Sequence, residues 1–156
     1  MDYAGLERFS CDIADECEEL CSLYHALVEK QRELLWIIAE GPGEVVKLWE
    51  NLTGEVIGAQ RFAHLHLPFY EEWGRVLHAH GKRLIAHFDG RLACLSDGLA
   101  ASPLDGLESL TPPPEGDLSL GEARRLFPRK VLWVNLSVSR YFDPPECLQA
   151  HVRDLL

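Results

Sequence analysis

The chain has 156 residues, of which 47% are hydrophobic, and its formal net charge is -10. It is long enough for one core, and we expect residues 1–156 to form a single domain. No basic run or stripe is present, which argues against a nucleic-acid partner. No apolar run reaches the roughly 18 residues of a membrane span. Its five cysteines lack the spacing of a disulfide framework, so we expect free thiols and a cytoplasmic location.

Hydrophobic spacing predicts helices and strands that alternate along the chain. Two helical segments come first, at 3–9 and 12–40, and the second ends at Gly41-Pro42-Gly43. The later predicted elements are, in order, a strand at 45–49, two helical pieces separated at Pro68, a strand at 83–87, a helix at 92–100, a strand at 105–109, a helix at 119–126, a strand at 131–135 and a helix at 145–156. This alternation implies α/β architecture with a parallel sheet and outer helices.

The run 82–90 (Lys-Arg-Leu-Ile-Ala-His-Phe-Asp-Gly) is the most informative segment. It predicts a short buried strand that ends on His87 and Asp89, which point the same way because strand side chains alternate. Imidazole and carboxylate at the carboxyl end of a parallel strand indicate metal binding or proton transfer. The alternative is structural, with Asp89 capping the next helix and His87 bonded into the turn.

Every predicted strand ends in a polar group, and together these groups suggest one shared rim. A β/α barrel has such a rim at its catalytic face. The strand-end residues are Glu50, Asn51, His87, Asp89, Glu108 and Asn135.

Five segments resemble the uroporphyrinogen decarboxylase superfamily, which also contains corrinoid- and zinc-dependent methyltransferases. They are residues 50–54 (Glu-Asn-Leu-Thr-Gly), 67–70 (Leu-Pro-Phe-Tyr), 81–90, 107–114 (Leu-Glu-Ser-Leu-Thr-Pro-Pro-Pro) and 116–124 (Gly-Asp-Leu-Ser-Leu-Gly-Glu-Ala-Arg). The order and spacing of these segments agree with the family over nearly the whole chain, from about Gly5 to Pro145.

The resemblance implies a (β/α)8 TIM barrel, which needs roughly 250 residues or more. This chain supplies about four strands and resembles the second half of such a barrel. We therefore expect a partial barrel, either as a fragment or completed by another chain, with a homo-oligomer as one solution. The family's substrate-gripping arginine segment near the amino terminus is absent from the sequence.

The resemblance also implies two kinds of chemistry. In the methyltransferase branch, a histidine that matches His87 and a cysteine two residues later bind zinc, but here Asp89 stands in the cysteine position. Glu108, at the end of the next strand, matches a further ligand, so His87, Asp89 and Glu108 are candidate zinc ligands, with a corrinoid as a possible partner. Without metal, the same three residues are candidate catalytic groups for decarboxylation of a tetrapyrrole.

The remaining polar strand-end and loop residues have two interpretations. Glu50, Asn51, Asp117 and Asn135 are candidate contacts to a small-molecule substrate. Helix capping or turn formation explains Glu50, Asn51 and Asp117 equally well. The function is then an enzyme, or part of one, that performs decarboxylation or methyl transfer. The alternative is a non-catalytic remnant that acts as a binding or assembly module.

Overall fold

The structure, a computed structural model, describes residues 5–155. The chain divides into two compact units, Met1–Gly41 and Pro42–Leu156. The predicted helix at 3–9 begins at Tyr3, which lies outside the described residues. The prediction of a single domain stays a prediction.

The first unit contains two helices, α1 (Leu6–Ala14) and α2 (Glu18–Glu40). The prediction of one helix over 12–40 is therefore wrong. The chain leaves α1 because Glu16 adopts a left-handed conformation with φ of 51°. The amide of Cys17 then donates to the carbonyl of Asp12 at 2.9 Å, and that of Glu16 to Ile13 at 3.2 Å. These two bonds form a Schellman motif, which usually has glycine at the left-handed position.

The second unit alternates strands with helices, as predicted. Its elements are β1 (Val45–Leu52), α3 (Gly54–Arg61), a π-helical turn (Phe62–His66), α4 (Leu67–Ala79), β2 (Arg83–Phe88), a 3-10 turn (Ala93–Leu95), α5 (Ser96–Ala101), β3 (Gly106–Leu110), α6 (Leu120–Leu126), β4 (Val131–Val134), a second 3-10 turn (Val138–Phe142) and α7 (Pro145–Leu155). The separation predicted at Pro68 is close to the structure, since this proline lies in the first turn of α4. Its fixed φ suits that position.

The four strands form one parallel sheet in the order β1-β2-β3-β4. Each strand pairs with its predecessor in the sequence, which is the strand order of part of a β/α barrel. The predicted α/β fold of about four parallel strands with outer helices is confirmed. In the described residues, β1 pairs only with β2 and β4 only with β3.

The two faces of the sheet differ in exposure. Side chains of β2 that point towards the helices, namely Leu84, Ala86 and Phe88, have no exposed surface. The opposite side, here called the open face, is made of Val45, Lys47, Trp49, Ile85, His87, Glu108, Val131 and Trp133. Four of these are more than half exposed: Val45 at 58%, Trp49 at 73%, Val131 at 63% and Trp133 at 57%.

Between Gly5 and Leu155, no helix combines the length and apolar character needed to cross a membrane. All five cysteines are free, as predicted.

Candidate functional site

His87 and Glu108 lie side by side near the carboxyl ends of β2 and β3. They are Cα partners in the parallel ladder, so both side chains leave the sheet on the open face. The Nδ1 atom of His87 is hydrogen-bonded to Oε2 of Glu108. The His87 side chain is 15% exposed and that of Glu108 is 12% exposed, so solvent screens this pair only weakly.

Asp89 approaches the other nitrogen of the same ring. Its Oδ2 atom lies 3.3 Å from Nε2 of His87, and its side chain is 48% exposed. The backbone of Asp89 is fixed, because its amide donates to the carbonyl of Leu52 at 2.9 Å. The His87 imidazole therefore lies between the largely buried carboxylate of Glu108 and the half-exposed carboxylate of Asp89.

This arrangement suits proton transfer. A neutral imidazole donates a hydrogen bond through one nitrogen only, whereas the imidazolium donates through both. With a carboxylate beside each nitrogen, a hydrogen-bond acceptor is available for whichever nitrogen carries a proton, and this is the arrangement that general acid–base catalysis uses. The structure brings together all three predicted catalytic residues, His87, Asp89 and Glu108.

Lys47 adjoins His87, Asp89 and Glu108, and these four residues are here called the cluster. The sequence interpretation did not include Lys47. Its Nζ atom lies 3.4 Å from Oε1 of Glu108 and 3.3 Å from the centroid of the Trp49 ring, with the Trp133 ring at 6.0 Å. The lysine therefore combines an ion pair with a cation–π contact. The signal was available, since Lys47 alternates with Trp49 on the same strand and must share its face.

Trp49 and Trp133 border the cluster on the open face. The Trp49 ring stacks on the His87 ring with a centroid distance of 5.7 Å and an interplanar angle of 28°. Trp133 is the Cα partner of Glu108 on the other side of β3. The two indoles give the cluster flat apolar walls that remain accessible to a ligand.

A depression of about 500 Å3 lies on the open face, and Glu108 is the member of the His87 cluster that lines it. Ile85, Val131 and Trp133 also line it, and it reaches the amino end of the sheet at Arg83. A small planar molecule placed there would contact apolar side chains and reach Glu108.

Glu50 and Asn51 do not join the cluster around His87. Both were predicted to close the first strand, but both lie within β1. The carboxylate of Glu50 accepts hydrogen bonds from the hydroxyl of Tyr70 and from Nδ1 of His66, the latter at 3.1 Å. Burial, followed by the charge of Glu50, raises the pKa of Tyr70 far above its usual range. Asn51 is exposed, with a left-handed φ of 47°.

Asn135 directly follows β4 and connects two strand ends. Its Nδ2 atom donates to the hydroxyl of Ser109 at 2.5 Å, and its amide donates to the carbonyl of Leu110 at 2.9 Å. Ser109 is a buried residue with φ of 70°, at an irregularity in the register between β3 and β4. These contacts give Asn135 a structural role at the rim.

Asp117 binds backbone amides, but they belong to the turn after β2 and not to the helix that begins after Ser119. Its Oδ1 atom accepts hydrogen bonds from the amides of Leu92 at 2.7 Å and Ala93 at 3.0 Å. The helix that follows is capped instead by Ser119 and Glu122, which form a capping box. Asp117 therefore fastens the loop after β3 to the loop after β2.

The candidate zinc site does not have the arrangement that a metal requires. Within residues 5–155, no group of three or more His, Cys, Asp or Glu side chains is placed to hold a metal ion. Both ring nitrogens of His87 face carboxylate oxygens, whereas a metal ligand must offer one nitrogen lone pair to the ion. The donor set as arranged fits hydrogen bonding better than coordination.

No protein-family model, no curated protein and no solved structure matches this chain. The resemblance to the uroporphyrinogen decarboxylase superfamily therefore depends on the five sequence segments alone.

Proposed function

We propose that this protein is a metal-free acid–base enzyme, or part of one, of the uroporphyrinogen decarboxylase type. One observation supports this most: His87 lies between Glu108 and Asp89 at the carboxyl ends of adjacent parallel strands. The substrate class, a tetrapyrrole that bears acetate groups, comes from the resemblance of the sequence segments to the family.

The reaction needs a proton donor and a nearby negative charge. Protonation of the pyrrole ring makes it an electron acceptor. The bond between the carboxylate and the methylene carbon then breaks, carbon dioxide leaves, and the electron pair moves into the ring. The methylene carbon then takes a proton, and the ring carbon that was protonated first releases its proton, which restores the neutral pyrrole. In this proposal His87 supplies and recovers protons through Nε2, and the exposed carboxylate of Asp89 stabilises the cationic ring.

Glu108, Lys47 and Trp49 support the central histidine. Glu108 accepts from Nδ1 and so orients the ring, which is the role of the carboxylate in a catalytic triad. Lys47 offsets the charge of Glu108 at 3.4 Å. Stacking on Trp49 holds the imidazole plane, and the depression beside Trp133 offers a surface for a pyrrole ring.

Anaerobic incubation with uroporphyrinogen, followed by chromatography of the oxidised products, tests this proposal. We expect carboxyl groups to be lost stepwise with the parent protein, and not with the His87→Gln variant. His64→Gln is a matched control, since His64 is exposed. Absence of both binding and turnover by a folded parent protein would overturn the proposal.

Methyl transfer to a thiol, with zinc and a corrinoid partner, is less well supported. That chemistry requires a metal to lower the pKa of the substrate thiol, and the donor set around His87 does not fit a metal. Calorimetric titration of the parent protein with zinc distinguishes the two: tight binding that His87→Ala abolishes would favour methyl transfer.

A binding or assembly module is the second candidate function, and exposure of the open face favours it. Val45, Trp49, Val131 and Trp133 present apolar surface, while parallel sheets are normally covered on both faces. Pairing of β1 and β4 with a second chain, in the simplest case another copy, would cover this face and close a barrel. Light scattering tests this, and a monomer at all concentrations would count against it. The free thiols support a reducing compartment, and we propose the cytoplasm.

A further inference from the structure

A second histidine is oriented by a carboxylate, and it lies near the same end of β1. Trp49 contacts His87 on the open face, whereas the next residue, Glu50, points to the helix-covered side and contacts His66 and Tyr70. None of the predicted roles includes His66 or Tyr70. Trp49 and Glu50, near the end of β1, therefore contact two different histidines.

The contacts fix which nitrogen of His66 carries the proton. Ionised Glu50 can only accept hydrogen bonds, so the Nδ1 atom of His66, at 3.1 Å from Oε2, is the donor. In the neutral ring, Nε2 then has a free lone pair. The same oxygen of Glu50 accepts from the hydroxyl of Tyr70, whose side chain is fully buried. The buried Tyr70 hydroxyl thus fixes the position of Glu50, and Glu50 in turn orients His66.

The ring of His66 is also held by stacking, and it remains open to solvent. It lies nearly parallel to the buried ring of Phe62, with an interplanar angle of 8° and a centroid distance of 5.8 Å. Its side chain is 26% exposed. Both residues belong to the π-helical turn, a deformation that is frequent at functional sites.

We propose that His66, Glu50 and Tyr70 form a second acid–base site, in which Nε2 of His66 removes a proton from the hydroxyl group of a small molecule or from water. His66 corresponds to the base of a nucleophile–base–acid triad, and Glu50 corresponds to the carboxylate that orients the base. The ligand supplies the nucleophile. As the proton moves to Nε2, the carboxylate of Glu50 stabilises the imidazolium, and the Tyr70 hydroxyl keeps Glu50 in place.

Hydrolysis of para-nitrophenyl acetate provides the test, with water as the hydroxyl donor. The proton of water goes to Nε2 of His66, the water oxygen bonds to the acetyl carbon, and the ester bond to nitrophenolate breaks. The histidine and the newly formed acetic acid then each release a proton to solvent, and the products are acetate and nitrophenolate. All variants of the full chain carry His87→Gln, so that hydrolysis by His87 does not contribute.

In this background we expect His66→Gln to lower the protein-dependent rate by about 100-fold. Glu50→Gln should lower it by about tenfold, because it removes the orienting charge. Tyr70→Phe should lower it less, and the exposed control His64→Gln should leave it unchanged. The His66-dependent rate should fall in D2O, since a proton moves in the slow step.

Two results would overturn the proposal. The first is equal rates in His66→Gln and His64→Gln, with circular dichroism showing both variants folded. The second is acetylated His66 in the mass spectrum with no slowing in D2O, which would make the residue a nucleophile instead of a base. If Glu50→Gln fails to fold, nitrogen NMR of the parent still decides: a proton on Nε2 of neutral His66 would contradict the proposed tautomer.

Discussion

The two ends of the sheet use similar side chains in opposite ways. At the carboxyl end, His87 faces Asp89 and Glu108. At the amino end, His78 faces Asp105, with Nε2 at 2.8 Å from Oδ2. The same pair of residue types thus occurs at both ends, and its surroundings distinguish the two.

Backbone contacts lock the amino end. Asp105 accepts from the amide of Leu84 at 2.8 Å and from Arg83 at 3.1 Å. Burial alone would raise the pKa of Asp105, but the hydrogen bonds from Leu84, His78 and Arg83 hold it below its usual range. Nearby, the buried ammonium of Lys130 donates to the carbonyls of Ser102 and Leu104, each at 2.8 Å.

At the carboxyl end, the carboxylates of Glu108 and Asp89 instead face other side chains, Lys47 and His87, and one of them is half exposed. Side chains move more freely than backbone, so this end can adjust to a ligand. The difference agrees with a general property of β/α barrels. Residues at the amino end of the sheet contribute to the stability of the fold, and residues at the carboxyl end form the active site.

The largest expected effect concerns catalysis. Under the proposed function, His87→Gln should lower the rate of uroporphyrinogen decarboxylation by about 100-fold to 10,000-fold, the usual contribution of general acid–base catalysis. His78→Gln, at the amino end, should leave turnover per folded molecule unchanged. Rate measurements on both purified variants check this, and equal losses would remove the functional distinction between the two ends.

Lys130→Met should produce the largest loss of stability. The change leaves the carbonyls of Ser102 and Leu104 without their donor in a buried place, and the free energy of unfolding should fall by about 2–3 kcal/mol. Urea denaturation followed by circular dichroism measures it. Lys30→Met is the control, because the Lys30 side chain is 75% exposed; a similar loss there would contradict the assignment.

Asp105→Asn should lower the free energy of unfolding by about 1–2 kcal/mol at neutral pH, through loss of charge-assisted hydrogen bonds. The lowered pKa of Asp105 means that its stabilising effect is complete above the unfolded value of about 3.9 and is lost as the pH falls through the lower folded value. The difference between parent and variant should therefore shrink in acid. Denaturation at a series of pH values would show it, and a difference that grows in acid would refute it.

The smallest effect is expected at the carboxyl end. Ser119→Ala removes the hydroxyl of the capping box of α6 and should cost about 1 kcal/mol. Ser119→Thr retains a capping hydroxyl and should cost less. Denaturation midpoints of the two variants provide the comparison, and identical midpoints would mean that the cap contributes nothing.

Much of this fold was predictable because its signals are local. Strand alternation placed His87 and Asp89 on one side of β2, and the order of strands and helices implied a parallel sheet. The end of α1 was missed because Glu16 occupies the left-handed position where glycine is the expected signal. The end of α1 has the hydrogen bonds of a Schellman motif, but it lacks the glycine by which such a motif is recognised in a sequence.

The candidate site was only partly predictable, because contacts across strands depend on register. The register of β2 against β3 makes His87 the partner of Glu108, and no local sequence pattern determines that register. A position near a strand end predicts that Glu50 belongs to the rim, but its partners, His66 and Tyr70, are 16 and 20 residues away along the chain. A single sequence does not encode such pairings in any local pattern.

The carboxylate of Asp117 couples two loops at the carboxyl end of the sheet through the amides of Leu92 and Ala93. It joins the loop after β3 to the loop after β2, and Asp117 lies 25 residues from Leu92 and 24 residues from Ala93 along the chain. Neither loop can swing outward alone without breaking a charge-assisted bond. As long as this bond is intact, the two loops therefore behave as one mechanical unit of the rim.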